Sequence, residues 1–167
     1  MTASPLHRVG QFWRHASARV SAEERANAQQ LLGTQLAGFF LSLPLNDQRH
    51  GLDVLETVRR LEGEPGELLQ QAALLHDMGK GLVTFSIIER SVTVFIKALS
   101  PSALKAMLRT RPGLELRYRT YADHAAIGAR LLKAAGAPEL AAIVAEHHDP
   151  QPRLDLTRRL QRADARH

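Results

Sequence analysis

Read for hydrophobic periodicity, the chain is a succession of short helical stripes, several of which carry a histidine or an aspartate among their apolar side chains. Val9, Phe12, Trp13, Ala16 and Val20 recur at helical spacing and predict an amphipathic helix from about Pro5. Ser21-Ala-Glu-Glu24 reads as a capping box, in which the serine accepts from an exposed backbone amide and the glutamate reaches back to the serine amide. A long helix should follow, with Leu31, Leu32, Leu36 and Phe39 or Phe40 inward, ended by Pro44. Asn46-Asp47 offers the next N-cap, and His50, Val54, Val58 and Leu61 share one face of the helix it would start. Beyond the Gly63-Glu-Pro-Gly66 turn, Leu68, Leu69, Ala72, Leu75 and His76 point one way, and Gly79 and Gly81 close this third helix.

The segment Val83 to Leu99 carries two periodicities. Phe85, Ile88, Val92, Phe95, Ile96 and Leu99 fit a helix, while the β-branched residues and the alternation at Val92, Val94 and Ile96 fit a strand; we read it as helix. Ser100-Pro101 starts another, running to about Leu108, and an arginine-rich loop should follow from Thr110 to Thr120. Asp123 can cap a helix bearing His124, Ile127, Leu131 and Ala135 before Gly136, and Pro138 opens one with Leu140, Ile143, Val144 and His147 aligned. After the Asp149-Pro-Gln-Pro-Arg153 break, Leu156, Leu160, Ala163 and Asp164 mark a last helix. There is no internal repeat or linker, and 167 residues suffice for one well-buried core. The expectation is therefore an all-α, single-domain bundle of about seven to eight helices, with a core over residues 45–166 and a helical extension, residues 1–44, packed on it.

Aromatics at 5% imply that this core is made of Leu, Ala, Val and Ile. With no cysteine there is neither a disulfide nor a thiolate ligand, so any metal must be held by nitrogen and oxygen. The start, Met-Thr-Ala-Ser-Pro-Leu-His-Arg, lacks the apolar stretch of a signal peptide, and no run approaches membrane-spanning length. A cytoplasmic protein without a membrane partner is the simplest expectation. The net charge of +5 and pI near 10.2 favour anionic partners. Much of that excess reads as arginines dispersed over helix surfaces, with local concentrations at Arg109 to Arg119 and Arg153 to Arg166 able to steer a phosphorylated substrate or contact nucleic acid.

The candidate chemistry lies in seven residues on or at the ends of the stripes: His50, His76, Asp77, His124, His147, His148 and Asp164. A buried carboxylate or imidazolium without a partner is costly, so several on separate inward faces imply pairing, hydrogen bonding or metal. A nitrogen and oxygen donor set suits iron, manganese or zinc, and seven donors exceed what one ion usually takes. Two ions bridged by an aspartate would use them all. Taken singly, His50 or His124 reads more readily as a hydrogen-bonded core histidine than as a ligand, and Asp164 can be read as a surface salt-bridging residue.

As a set, His50, Leu74-Leu75-His76-Asp77-Met78-Gly79-Lys80, His124-Ala-Ala-Ile-Gly128, His147-His148 and Ala163-Asp164 resemble the HD-domain metal-dependent phosphohydrolases over about residues 45 to 166. The resemblance is closest to the branch whose motif reads His-Asp-Ile-Gly, shared with the HD-GYP cyclic-dinucleotide phosphodiesterases and some RNA-cleaving enzymes. It implies that His50, His76, Asp77 and Asp164 match the four ligands of single-metal members, and that His124, His147 and His148 match the extra histidines of binuclear ones. Lys80 matches a lysine that contacts the scissile phosphate; its other reading is a surface lysine favoured by a helix C-terminus. Two departures stand out. Asp149-Pro-Gln-Pro152 follows the histidine pair and no Gly-Tyr-Pro motif is present, which puts cyclic di-GMP hydrolysis in doubt. The stretch from Asp77 to His124 is also longer than in compact relatives, and its extra helix and arginine loop would form one wall of a substrate pocket.

The function so implied is hydrolysis of a phosphoester or phosphoanhydride in a nucleotide or similar small phosphorylated substrate. One or two divalent ions would lower the pKa of a bound water, with Asp77 and Lys80 as the catalytic side chains and some of Arg109 to Arg119 on distal phosphates. A non-catalytic metal- or nucleotide-binding signalling module is the alternative. Nucleic-acid processing has less support, because the chain has Phe 5, Trp 1 and Tyr 2 and no interleaved aromatic and basic pattern for stacking single strands. Oligomeric state has no legible signal.

Overall fold

The structure, a computed structural model, describes residues 19–83 and 85–167, and every regular element among them is helical. In chain order these are α1 Ala22–Leu41, α2 Leu45–Glu62, α3 Glu67–Leu75, α4 Ile87–Leu99, α5 Pro101–Arg109, α6 Pro112–Ala122, α7 His124–Ala134, α8 Pro138–Ala145 and α9 Asp155–Asp164, with a 3-10 turn, Met78–Leu82, between α3 and α4. The helix expected from Pro5 falls outside the described residues except for its last position, Val20, which packs on the core.

Local chemistry accounts for most of the boundaries. The Ser21 hydroxyl accepts from the Glu24 amide at 3.1 Å and the Glu24 carboxylate accepts from the Ser21 amide at 2.8 Å, closing the expected capping box. Gly33, at φ 64°, bends α1 into two segments through a backbone conformation that side chains disfavour. The second helix starts two to three residues earlier than expected, with Pro44 rather than Asn46 or Asp47 at the N-cap. The Pro44 carbonyl accepts from the Asp47 and Gln48 amides at 2.9 and 3.0 Å, so Asn46 and Asp47 lie in the first turn and neither caps it. The 42% exposure of Leu61 likewise corrects its assignment to the inward stripe: the end of α2 overshoots the core.

Helix α3 is the centre of the packing. Leu69, Ala72, Ala73, Leu74 and Leu75 are all buried, and α1, α2, α8 and α9 close around it. Leu132, Leu140, Ile143, Val144 and Leu160 complete this core with Phe40. Each such side chain contributes about 2 kcal/mol by leaving water. Along α7 the buried line is His124, Gly128 and Leu132, one position on from the expected Ile127 and Leu131. The cause is Gly128, whose missing side chain lets α7 approach Met78 and Val144; an added Cβ would meet them at 3.2 and 3.3 Å.

The ambiguous segment is helical, and a second capping box starts it, Ser86 with Glu89. Ser100 caps α5 as expected, accepting from the Ala103 amide at 3.2 Å. The expected arginine loop is instead α6. Pro112 occupies its first turn, and Arg119 pairs with Glu115 at 2.6 Å one turn away, so residues read as loop by their charge support a helix. Helices α4 and α5 pack chiefly on each other, whereas α6 reaches the 3-10 turn and α7. Among the described residues no helix is long and apolar enough to cross a membrane.

Candidate metal centre

Five parts of the fold deliver the seven predicted side chains to one place. His50 comes from the second turn of α2, His76 and Asp77 from the end of α3, and His124 from the first position of α7. His147 and His148 follow α8, and Asp164 is the last residue of α9. All seven converge in two groups, Asp77 with His124, His147 and His148, and His50 with His76 and Asp164; within each group the donor atoms lie within 4.8 Å of one another. His76, Asp77, His124 and His147 are buried, while His148 is exposed and His50 and Asp164 are partly so, which puts the mouth of the centre on that side.

Asp77 stands between the groups. Its Oδ1 lies 3.0 Å from His124 Nε2 and 3.7 Å from His147 Nε2, and its Oδ2 lies 3.7 Å from Nε2 of both His50 and His76. In the second group Asp164 Oδ1 is 3.0 Å from His50 Nε2 and 3.6 Å from His76 Nε2. Lys80 Nζ donates to Asp77 Oδ2 at 2.5 Å and lies 5.3 Å from the centre of the Tyr121 ring. This placement, with the Lys80 side chain 13% exposed, is not that of a solvated surface lysine.

The tautomers follow from three helix ends. His76 Nδ1 faces the Ala73 carbonyl at 3.0 Å, His124 Nδ1 the Tyr121 carbonyl at 2.7 Å and His147 Nδ1 the Val144 carbonyl at 2.6 Å. A carbonyl only accepts, so each Nδ1 carries the proton and each neutral ring turns an Nε2 lone pair to the centre. Those carbonyls belong to the last turns of α3, α6 and α8, where intrahelical donors run out and the helix dipole is negative. Three helix C-termini thus bias the site towards positive charge.

That bias meets an unmet need for a cation. His124 Nε2 faces His147 Nε2 at 3.2 Å and His148 Nε2 at 3.0 Å, and His76 Nε2 faces His50 Nε2 at 3.2 Å. Lone pairs opposed at such distances repel unless a proton or a metal ion lies among them. Asp77 Oδ1 is also buried without a hydrogen-bond donor. The titration behaviour agrees. Burial would raise the Asp77 carboxyl, but the Lys80 ammonium holds it well below the usual range. Burial would lower His76, yet Asp77 and Asp164 pull it above its ordinary value. Burial and the neighbouring His147 and His124 press His148 down to about 4. A nitrogen and oxygen donor set with this electrostatic demand fits a divalent metal ion, and all seven residues are placed to hold one or two.

Several features of the centre were not foreseen. Gly79 does not end α3 in a left-handed conformation; it sits in the 3-10 turn, where its missing side chain makes room for the His124 carbonyl oxygen, to which a Cβ would lie 2.1 Å away. Asp123 makes no side-chain cap to α7, whose start is set by the end of α6. Tyr121 holds His124 through its carbonyl and flanks Lys80 through its ring. The available signal was spacing, since each of the three pinned histidines lies three residues after its carbonyl partner. The arginines play local parts: Arg117 pairs with Glu89 at 2.5 Å, Arg119 with Glu115, and Arg159 with Glu62 at 2.7 Å.

A family model for the HD domain matches residues 48–167, a span that contains all seven residues. No curated protein and no solved structure matches the chain.

Proposed function

The chain belongs to the HD-domain family, and from that premise we propose that it is a metal-dependent phosphohydrolase, cleaving a phosphoester or phosphoanhydride of a nucleotide or similar small phosphorylated substrate. The observation that carries this reading is Asp77, buried between two donor groups with one oxygen turned to each. His50, His76, Asp77 and Asp164 would hold one ion, and Asp77 with His124, His147 and His148 a second. A divalent ion bound there acidifies water towards neutrality and offsets charge on phosphoryl oxygens.

The chain's own residues do the rest. The carbonyls of Ala73, Tyr121 and Val144 fix three imidazoles so that each keeps its lone pair inward, a preorganisation the family's chemistry requires. Asp77 orients the attacking water by accepting a hydrogen bond from it at a carboxylate oxygen. Lys80, held at Asp77 Oδ2, presents an ammonium to the scissile phosphate. Substrate enters on the side of His50, His148 and Asp164, where the centre meets solvent.

The test is elemental analysis of protein purified without chelators, followed by a phosphatase and phosphodiesterase screen with the metal found. Iron, manganese or zinc at a ratio near two per chain is expected, with loss of metal and turnover in the double variant His76→Ala, Asp77→Ala. Metal-free protein with unchanged turnover would sink the proposal. Retained metal with no phosphate release from any substrate would favour a non-catalytic binding module instead.

A further inference from the structure

Residues 85–122 carry seven Lys or Arg and two acidic residues, while the rest of the chain carries fifteen of each. The whole net charge of +5 therefore belongs to the α4–α6 hairpin and its flanks, which corrects the expectation of an excess dispersed over the surface.

Between the end of α4, α5 and α6 lies a cavity of about 420 Å³, within the range of small-molecule sites. Its floor is aliphatic, formed by Leu104 and Leu108, both buried, and Tyr118 lines one wall. Lys97, Lys105, Arg109 and Arg119 bring four cations to it. The one acid, Glu115, is engaged by Arg119 at 2.6 Å. No ion pair joins Lys97, Lys105 or Arg109 to another described residue. None of the seven residues of the metal centre lines the cavity.

We propose that this cavity is a second ligand site, separate from the metal centre, for a nucleoside di- or triphosphate. Three cations without an ion pair among the described residues, around an aliphatic floor, suit a polyanion with several charges, since ammonium and guanidinium groups bind phosphate oxygens strongly. An aliphatic floor beside a tyrosine ring suits the flat, weakly polar face of a base. The one lining cation on α4, Lys97, does not flank the apolar stripe of that helix, as it would on a helix lying on a membrane surface. At about 100° per residue, Lys97 lies on the opposite side of α4 from Ile88, Val92, Phe95 and Leu99. The arrangement also lacks the row of aromatics that a single-stranded nucleic acid would stack on, because among the described residues Tyr118 is the only aromatic ring lining it.

The experiment is equilibrium dialysis of ATP and of GTP against the full chain treated with EDTA, so that the metal centre takes no part. Saturable binding is expected, weakened at least tenfold by Lys105→Glu with Arg109→Glu and unchanged by Asp77→Ala. Both reversed residues are exposed, and circular dichroism with a thermal scan verifies that the variant is folded; Lys97→Glu alone should weaken binding in the same direction. Tyr118→Ala should weaken ATP more than inorganic triphosphate, which has no base. Absence of saturable binding up to millimolar nucleotide overturns the proposal, as does equal binding by the charge-reversed protein or loss of binding in Asp77→Ala. Tighter capture of a random oligonucleotide than of either nucleotide would assign the cations to nucleic acid and overturn it too. The readout is binding without turnover, so its outcome is independent of whether the metal centre hydrolyses anything.

Discussion

At the candidate metal centre two carboxylates, five imidazoles and Lys80 are drawn together by five parts of the fold, and most of them are buried. The α4–α6 hairpin carries seven Lys or Arg in its sequence, and Lys97, Lys105 and Arg109 are exposed on helices that pack chiefly on one another. The two regions teach different uses of charge. Buried charge has to be matched within a few ångströms, so the centre dictates its backbone, down to which carbonyl faces which ring. Surface charge tolerates loose geometry, so the hairpin can set a ligand's sign without setting the fold.

The sharpest way to break this contrast is to remove the residue both donor groups share. Asp77→Ala should abolish metal retention and lower hydrolysis by more than about 100-fold, the upper end of what losing a mere supporting partner costs. It also leaves the Lys80 ammonium without its carboxylate. Arg119→Ala, in the hairpin, should leave metal content unchanged by elemental analysis. Glycines extend the comparison to the backbone. A Cβ at Gly79 would lie 2.1 Å from the His124 carbonyl oxygen, so Gly79→Ala should cost about 3 kcal/mol or more by denaturant unfolding and loosen metal with it. At Gly113, in the first turn of α6, the nearest atom to an added Cβ is the mobile end of Arg117 at 3.5 Å, so Gly113→Ala should be neutral or stabilising by about 0.5 kcal/mol.

The difference between the regions also sets what could be read in advance. Five of the seven candidate ligands, His50, His76, His124, His147 and Asp164, were legible as polar positions on apolar stripes, which is a periodic signal, whereas Asp77 and the exposed His148 stood out only as neighbours of such histidines. The stripes of α3 and α8 were right for that reason, with Leu69, Ala72, Leu75 and Leu140, Ile143, Val144 buried. What failed were details set by partners distant in sequence. Gly79 looked like a helix stop because its real neighbour, the His124 carbonyl, is 45 residues away. Helix α6 looked like a loop because its arginines were read as solvated charge, when Arg119 is held to Glu115 and Arg117 to Glu89 on α4. The exposed stripe of α4 shows the converse failure, since helical periodicity there was read correctly and yet Ile88, Phe95 and Leu99 are not buried. Periodicity reports that a face exists, and only packing reports what covers it.

A smaller effect distinguishes the regions by pH in metal-free protein. His148, lowered to about 4, and His147, lowered chiefly by burial, are favoured neutral in the fold. The unfolded chain binds their protons first, so stability should fall as pH drops from about 6.5 towards 4. The two depressed carboxyls, Asp77 and Asp164, contribute fully above their unfolded values near 4 and lose that contribution as pH falls further. His76, raised by Asp77 and Asp164 against its burial, acts oppositely: its contribution is complete below about 6.5 and fades as pH rises through its folded value. Thermal midpoints of EDTA-treated protein between pH 7 and 4 should therefore decline, and His148→Gln should flatten the upper part of that decline. An unchanged slope in the variant would locate the acid response elsewhere.

The smallest expected effect tests whether the hairpin belongs to the cooperative core at all. Leu75 is fully buried in α3, and Leu75→Ala should cost about 2–5 kcal/mol through lost transfer energy and the cavity left behind. Leu99, at the end of α4, is 70% exposed, so Leu99→Ser removes little surface that folding had hidden and should fall within about 0.5 kcal/mol of the unchanged protein in urea unfolding. Metal content should not move in Leu99→Ser, because α4 packs chiefly on α5 and carries none of the seven candidate ligands. A cost above about 1 kcal/mol would mean that the stripe is already covered in the folded protein in solution. The hairpin would then share the constraint that governs the metal centre.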